Sequence, residues 1–197
     1  MSFPALDRLL RGGRAITARR PRNGATSLAA AAMVSVASAA GADEPVTPPR
    51  LVHAFSLDVQ VAAPQEQGTI DGKRMRFVPI TGGRVFGPRL SGTVLPGGGD
   101  WQALHPDGLT DLRTHYALRT DDGTVIDVIN DGVRTASPEV AAELASGKMV
   151  DPSRYYFRTA PRFTVPEGKY AWLRRTQFVA VGIRQPDRVE IRVFAVE

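Results

Sequence analysis

The chain of 197 residues contains no cysteine. Disulfide bonds and structural zinc sites built from thiolates are therefore excluded, and stability must come from the hydrophobic core. Histidine is scarce as well: His53, His105 and His115 are the only three, and no two have the spacing of a helix-borne metal pair. We therefore predict no metal site.

Motifs of the common nucleotide and hydrolase sites are missing too. The stretch PGGGDW, residues 96–101, lacks the Gly-Lys-Ser/Thr ending of a phosphate-binding loop. There is no Gly-x-Ser-x-Gly motif and no dinucleotide fingerprint. We predict no cofactor, and we interpret the three glycines as a sharp turn with Asp100 and Trp101 as its chemically capable side chains.

The folded part also lacks an excess of charge of either sign. The formal net charge is +5, but residues 1–42 hold six of the 25 basic residues and one of the 20 acidic residues, which leaves 19 of each in residues 43–197. Proteins that bind single-stranded nucleic acid track its backbone with a basic groove. The neutral balance therefore argues against a nucleic-acid partner.

The N-terminal residues are typical of an export signal. A basic stretch ends at Arg22, and an uncharged, alanine-rich stretch follows as far as Ala42, with small-x-small sites at 37–39 and 40–42. The Arg19-Arg20 pair fits the twin-arginine type, although Pro21 and Arg22 replace its usual phenylalanine and leucine. We interpret residues 1–42 as a signal peptide of an exported, periplasmic or secreted protein, with a disordered basic arm as the alternative. The apolar part is too short for a stable membrane span.

Residues 43–50 form a proline-rich linker, and the pattern after them is all-β. Short alternating runs are separated by Gly, Pro and Asp turns. Ser137, Pro138 and Gly147 predict the cap, first turn and end of one short helix over 137–148. We predict strands over 51–62, 73–81, 87–96, 112–120, 124–135, 155–165, 171–185 and 188–196. About eight such strands in residues 51–197 remove their edges by closing into an antiparallel barrel.

Several segments read together point to a family. They are RFVPITGGRVFGPRLSGTVLPGGGDWQ (76–102), YALRTDDGTVIDVINDGVR (116–134), YYFRTAPRF (155–163) and YAWLRRTQFVAVGIR (170–184). The domain resembles the uncharacterised protein family 0311, also known as domain of unknown function 3237. The resemblance implies a closed antiparallel β-barrel of the allene-oxide-cyclase type and no particular activity.

Three positions depart from the pattern of that family. Thr164 stands where the family usually has glutamate, Arg174 where it has asparagine, and His115 where it has arginine. If these positions line a pocket, the pocket of this member differs from the usual one, and any role of a carboxylate at position 164 is lost.

Strand alternation suggests the residues of a site. Tyr156 and Arg158 share one strand face, and Tyr170, Trp172 and Arg174 share another. A face with aromatic and basic residues suits a pocket for an apolar, aromatic or anionic molecule, and it equally suits a solvent face with snorkelling arginines. The predicted ligand-binding residues are Trp101, Tyr156, Arg158, Trp172 and Arg174.

Three functions stay open at this stage. The first is a barrel that binds a small molecule in its mouth. The second is a cofactor-free enzyme for isomerisation, cyclisation or proton transfer, with Asp100 or His115 as the base and Arg158 or Tyr156 stabilising developing negative charge. The third is a structural or homo-oligomerising β-module without a ligand.

Overall fold

The computed structural model describes residues 46–197. The predicted signal peptide and the first residues of the linker lie outside the described residues. The strands are β1 Leu51–Val61, β2 Gln65–Ile70, β3 Lys73–Phe86, β4 Gly92–Val94, β5 Gly99–Leu104, β6 Leu109–Thr120, β7 Val125–Ala136, β8 Tyr155–Thr164, β9 Phe178–Arg184 and β10 Arg188–Val196. The helices are α1 Pro138–Ala145 and α2 Trp172–Arg175, and a 3-10 turn covers Pro152–Arg154.

The strands close into an antiparallel barrel. Neighbouring strands follow the order β1-β10-β9-β8-β7-β6, then β4 and β5, then β3, which pairs with β1 and completes the circle. Strands β4 and β5 both lie between β3 and β6, at different heights, and therefore act as one barrel strand. The predicted eight-stranded barrel with a short helix is confirmed.

The glycines of PGGGDW form an irregularity inside this composite strand. Backbone bonds from Leu95 to Ala117 and from Ile80 to Gly98 continue the pairing between β4 and β5. Gly97 has a φ of 103°, and a Cβ on Gly98 would lie 2.4 Å from the carbonyl oxygen of His115. Glycine is required here because the chain kinks while remaining in contact with β6.

Inward positions alternate with outward ones along every long strand. Strand β8 shows this without interruption, since each odd position from Tyr155 to Phe163 is buried and each even position is exposed. The inward apolar side chains fill one end of the barrel. The largest of those with almost no exposed surface are Phe55, Leu57, Leu118, Ile126, Leu173, Val128 and Val193.

The filled end is covered by the segment that includes α2. The Tyr170 hydroxyl donates to Asp122 Oδ2 at 2.8 Å, and Lys169 Nζ donates to the same oxygen at 3.1 Å. These donors, with the hydroxyls of Thr120 and Thr124, hold the pKa of Asp122 far below its usual range. Asp122 therefore ties the β6–β7 turn to the covering segment.

Helix α1 lies at the other end. Ser137 caps it through a bond from the Val140 amide, as the sequence predicts. Val140 and Leu144 pack in a second apolar cluster with Leu112, Val150, Tyr155 and Phe157. The helix therefore flanks the barrel opening.

Some predicted boundaries are wrong. Residues 87–91 and 171–177 are not strands, and α2 occupies part of the second range. Strands β2 and β5 were not predicted. Strand β2 is exposed along its whole length and pairs only with β3, and β5 begins at the third glycine of PGGGDW. No helix among residues 46–197 has the length and apolar character needed to cross a membrane.

Candidate functional site

The open end of the barrel contains a cavity of about 70 Å³. One wall is polar and comes mainly from β5, β6 and β7, and the opposite wall is apolar and comes mainly from β1, β3 and β10. The polar lining consists of Arg76, Asp100, Gln102, Thr114, Tyr116, Asn130, Arg134, Thr159 and Arg184. The apolar lining consists of Val59, Val61, Pro64, Val78, Ile80, Leu112, Phe157, Val189 and Ile191.

A wider vestibule of about 350 Å³ leads to the cavity. It lies between α1, the first part of β3 and the β5–β6 turn, where Leu144, His105 and Gly108 line it. Pro64 and the arginines 76, 134 and 184 line both spaces. We call these three arginines the neck.

Arg134 is the neck arginine whose positive charge is compensated least by hydrogen bonds and ion pairs within the protein. Burial and the nearby positive charges of Arg76 and Arg184 lower the pKa of its guanidinium to about 10, so it is still charged at neutral pH. Among residues 46–197, no hydrogen bond or ion pair to this guanidinium is found. The guanidinium is half-buried, and Asp100 supplies an opposite charge near it, so an anion in the neck would add to the compensation of its positive charge.

The other two neck arginines have polar partners. Arg76 Nε donates to Gln102 Oε1 at 2.7 Å, and Arg184 donates to the main-chain oxygen of Arg188 at 3.1 Å. Burial lowers the pKa of both guanidinium groups. Each still has guanidinium N–H groups beyond those used in these bonds, because arginine carries five donors.

Asp100 lies on the polar wall behind the neck. Its Oδ1 accepts from the Thr114 hydroxyl at 2.9 Å, and its Oδ2 accepts from the Gln102 amide. Burial raises the pKa of this carboxyl, although both hydrogen bonds and the charge of Arg134 act in the opposite direction. A buried carboxyl with a raised pKa that lines a cavity is a candidate for proton exchange with a bound molecule.

Besides Asp100, Gln102 and Thr114, three polar side chains line the cavity and not the vestibule. They are Asn130, Thr159 and Tyr116, which also packs in the apolar cluster of the filled end, and we call them the deep end of the cavity. Burial raises the pKa of the Tyr116 phenol, and the nearby Asn130 side chain acts in the opposite direction. Within the described chain, Asn130 Oδ1 and Thr159 Oγ1 are buried and have no hydrogen-bond partner.

Of the predicted catalytic candidates, Asp100 lies in the cavity and His115 does not. His115 points outward from β6, where its Nε2 lies 2.7 Å from Asp127 Oδ1. Among the described residues, no cluster of three or more metal-ligating side chains is found.

Three predicted ligand-binding residues lie on the outer barrel surface. Trp101 is 45% exposed and packs on Phe77, with ring centroids 4.7 Å apart. Tyr156 is 50% exposed, and the guanidinium of Arg158 lies 5.0 Å from its ring centroid. The reason is strand alternation. Asp100 and Phe157 point inward, so the residues next to them in the chain, which are Trp101, Tyr156 and Arg158, point outward.

The remaining two predicted residues lie at the filled end. Trp172 packs against Phe178 and beneath the guanidinium of Arg89, which is 3.9 Å from its ring centroid. Arg174 is exposed and bonds Glu167. The prediction that they share a face with Tyr170 assumed a strand, but residues 172–175 form the helical turn α2, in which side chains do not alternate between two faces. The five residues therefore form no common site.

The positions that depart from the family pattern do not line the cavity. Thr164 and Arg174 are exposed, and His115 is on the outer face. These three substitutions therefore leave the cavity lining unchanged.

The neck arginines were missed by the sequence reasoning. A signal for one of them exists in β7, where Ile126, Val128, Asn130, Gly132 and Arg134 alternate on one strand face. The first three are buried, and the face changes from apolar to polar along its length. Such a stripe is typical of a barrel interior that is filled at one end and polar at the other.

Comparisons with known proteins agree with this fold. A family model described as protein of unknown function, DUF3237, matches residues 49–196. The chain belongs to the DUF3237 family. A UPF0311 protein of Clostridium acetobutylicum is 40% identical over 144 residues, which are 72% of this chain and 90% of that protein.

Solved structures of two similar proteins have the same architecture. A conserved protein of unknown function from Rhodopseudomonas palustris is 38% identical, with a TM-score of 0.75 over 77% of this chain and 100% of that one. A β-barrel-like protein from Acinetobacter baumannii is 36% identical, with a TM-score of 0.67 over 77% of this chain and 98% of that one. The DUF3237 fold is therefore well defined for residues 49–196, and function has to be argued from the cavity.

Proposed function

We propose that the barrel binds a small organic anion, with its anionic group at the neck and its apolar part against the apolar wall. The observation that carries this proposal is Arg134, a half-buried guanidinium in the cavity lining for which no hydrogen bond or ion pair is found among residues 46–197. A carboxylate is the natural complement of a guanidinium, because the two form parallel charge-assisted hydrogen bonds.

The charge balance of the cavity supports an anion. Three arginines face a single acid, Asp100, so the charged groups that line the cavity have a positive balance. Guanidinium groups in a low-dielectric space attract an anion more strongly than the same groups in water. The apolar wall excludes water from the rest of the ligand and favours an organic anion over an inorganic one.

The volumes support a short molecule. A cavity of about 70 Å³ lies below the usual 300–1,000 Å³ of ligand pockets. Only a short chain or one small group enters it, while the vestibule accommodates anything longer. We therefore place the ligand class among short-chain carboxylates and related anions.

Calorimetry of the full-length chain tests this function. We expect hexanoate to bind and the neutral hexanol to bind at least tenfold more weakly, since only the carboxylate pairs with the neck. Arg134→Met keeps the apolar stem of the side chain, and we expect it to abolish hexanoate binding. The matched control is Arg113→Met on the outer face of β6, which should bind as the wild type does. Equal affinity for hexanoate and hexanol would show that the neck does not recognise anions.

A second candidate function is a cofactor-free proton-transfer enzyme, favoured by one observation: Asp100 is a buried carboxyl with a raised pKa within the same cavity. As a base, Asp100 would remove a proton from carbon next to a carbonyl, while a neck arginine stabilises the enolate that forms. Proton NMR in D₂O tests this with levulinate, whose exchange at carbon should be accelerated by the wild type and not by Asp100→Asn. Asp127→Asn, on the outer face, is the matched control. If the wild type does not accelerate the exchange of the levulinate protons, the proton-transfer function is contradicted and anion binding remains the proposed function.

A further inference from the structure

We propose that the ligand of this cavity carries a hydroxyl group in addition to its anion, and that Asn130 and Thr159 at the deep end bind this hydroxyl. This inference rests on the proposed anion binding and adds a second recognition element to it. It identifies the ligand class as short hydroxylated carboxylates that enter with the hydroxyl first.

The first step of the argument is an unsatisfied pair of oxygen atoms. Asn130 Oδ1 and Thr159 Oγ1 are buried in the cavity wall and have no hydrogen-bond partner among residues 46–197. Buried polar atoms without partners are rare in native proteins, because each has lost its hydrogen bonds to water without gaining others. A group that reaches the deep end and bonds both oxygens would remove this cost.

The second step identifies that group. The Asn130 side-chain oxygen Oδ1 can only accept a hydrogen bond, and it is buried without a partner among residues 46–197. The Thr159 hydroxyl both donates and accepts. A ligand hydroxyl matches both, because it donates to Asn130 and accepts from Thr159. A carboxylate at the same place would meet the Asn130 oxygen with no proton to share.

The third step is the relative position of the two ends. Arg134 and Asn130 are four residues apart on the inner face of β7, which corresponds to about 13 Å of strand at roughly 3.3 Å per residue. Arg134 lines both cavity and vestibule, and Asn130 lines the cavity alone. The anion therefore remains at the neck, and a chain of several carbons carries the hydroxyl inward along the apolar wall.

Gly132 lies between these two residues and makes room for Thr159. A Cβ at position 132 would lie 2.5 Å from Thr159 Cγ2 and 2.3 Å from the carbonyl oxygen of Arg158. The Thr159 side chain therefore occupies the inner space that any larger residue at 132 would take. The deep end is in this way formed by adjacent positions of β7 and β8.

The experiment compares matched acids on the full-length chain by calorimetry. The probes are butanoate, hexanoate and octanoate and their ω-hydroxy counterparts. We expect at least one hydroxy acid to bind about fivefold more tightly than its plain acid. Thr159→Val and Asn130→Leu preserve side-chain size and should bring that ratio to about one. Thr164→Val, on the outer face of the same strand, is the matched control and should keep the ratio.

The outcomes separate the two proposals. If plain and hydroxy acids bind equally well, this inference is overturned and anion binding stands. If a preference for the hydroxy acid persists in both deep-end variants, the hydroxyl lies elsewhere and the inference is again overturned. If no acid binds at all, the proposed function fails and this inference fails with it.

Discussion

The carboxylate of Asp100 and the indole of Trp101 lie on opposite sides of the barrel wall, although the two residues are neighbours in the chain. Asp100 accepts a hydrogen bond from Thr114 at 2.9 Å inside the cavity. Trp101 packs on Phe77 outside and lines a shallow outer groove. The acid therefore belongs to the chemistry of the cavity, and the tryptophan to the outer surface.

The first prediction follows for Trp101. We expect Trp101→Ala to leave the affinity for hexanoate within about twofold of the wild type, because the indole does not reach the cavity. Its loss removes the stacking on Phe77 and should lower the free energy of unfolding by about 1 kcal/mol. Calorimetry and urea denaturation measure the two effects. A large loss of hexanoate affinity in a folded variant would contradict the assignment of Trp101 to the outer surface.

The second prediction concerns the charge of Asp100. Because burial raises the pKa of this carboxyl above the ordinary 3.8, it becomes neutral on acidification earlier than an exposed aspartate does. Its ionised form repels an anion at the neck, so anion affinity of the wild type should rise as pH falls through the raised pKa. Asp100→Asn should bind about fivefold more tightly at pH 7, as expected for roughly 1 kcal/mol of repulsion, and should show no such pH dependence.

Hexanesulfonate is the appropriate probe for that prediction, since it stays ionised over the whole pH range. Calorimetric titrations of the wild type, Asp100→Asn and Asp127→Asn from pH 4 to neutral give the curves to compare. Parallel curves for wild type and Asp100→Asn would show that Asp100 does not interact with the bound anion.

Strand alternation is readable in the sequence of β8, but the direction of each face is not. One face of the strand carries Tyr155 and Phe157, and the other carries Tyr156 and Arg158. Because each face includes a tyrosine, composition alone does not tell which of them points into the barrel. Contacts with neighbouring strands decide between them, because Gly182 on β9 leaves space for the Phe157 ring, 2.5 Å from where a Cβ would lie. Such contacts depend on register between strands and cannot be predicted from one strand alone.

The barrel class and most strand positions could be predicted, since turns and alternation are local. The candidate site could not, because it is assembled from inward positions on many strands. Arg76 on β3, Arg134 on β7 and Arg184 on β9 are far apart in the chain and meet only through barrel closure. Asp100 is the one cavity residue that the sequence did predict, because it follows directly after the glycines of a recognisable segment.

The third prediction tests the packing between β7 and β8. Gly132→Ala places a Cβ against Arg158 and Thr159, and we expect it to lower the free energy of unfolding by about 1–3 kcal/mol through overpacking. It should also abolish the preference for ω-hydroxy acids. The control is Gly147→Ala after α1, where φ is 79° and no atom lies within 4 Å of the Cβ, so only backbone strain of about 1 kcal/mol is expected. Urea denaturation compares the stabilities of the two variants. Calorimetry should show that Gly132→Ala binds the plain acid and its ω-hydroxy counterpart with equal affinity, and a retained preference for the hydroxy acid would contradict the prediction.

The fourth prediction concerns export. We propose that residues 1–42 direct the chain out of the cytoplasm and are then removed. The mature protein, expressed in a bacterial host and recovered from the periplasm or medium, should begin at Ala40 or Asp43, after one of the two small-x-small sites. Replacing Arg19 and Arg20 with lysine should block export if the twin-arginine route is used. Recovery of the exported protein with an intact Met1 would rule out cleavage.

The fifth prediction is that the charge of Arg134 lowers the stability of the folded protein relative to an apolar side chain at the same position. Burial and the charges of Arg76 and Arg184 lower the pKa of Arg134 to about 10, which means that the fold disfavours the charged form. For a base with a lowered pKa, that cost is fully present at neutral pH and disappears only as pH rises past the folded pKa. Arg134→Met should therefore raise the free energy of unfolding by about 1–3 kcal/mol at pH 7 while abolishing hexanoate binding.

Thermal denaturation with and without hexanoate separates this effect from an ordinary change in stability. Saturating hexanoate should raise the Tm of the wild type and of Arg113→Met, because a ligand that binds the folded state stabilises it by mass action. It should leave the higher Tm of Arg134→Met unchanged. If Arg134→Met were less stable than the wild type without ligand, Arg134 would have a stabilising role in the free protein, and the argument that its charge awaits an anion would fail.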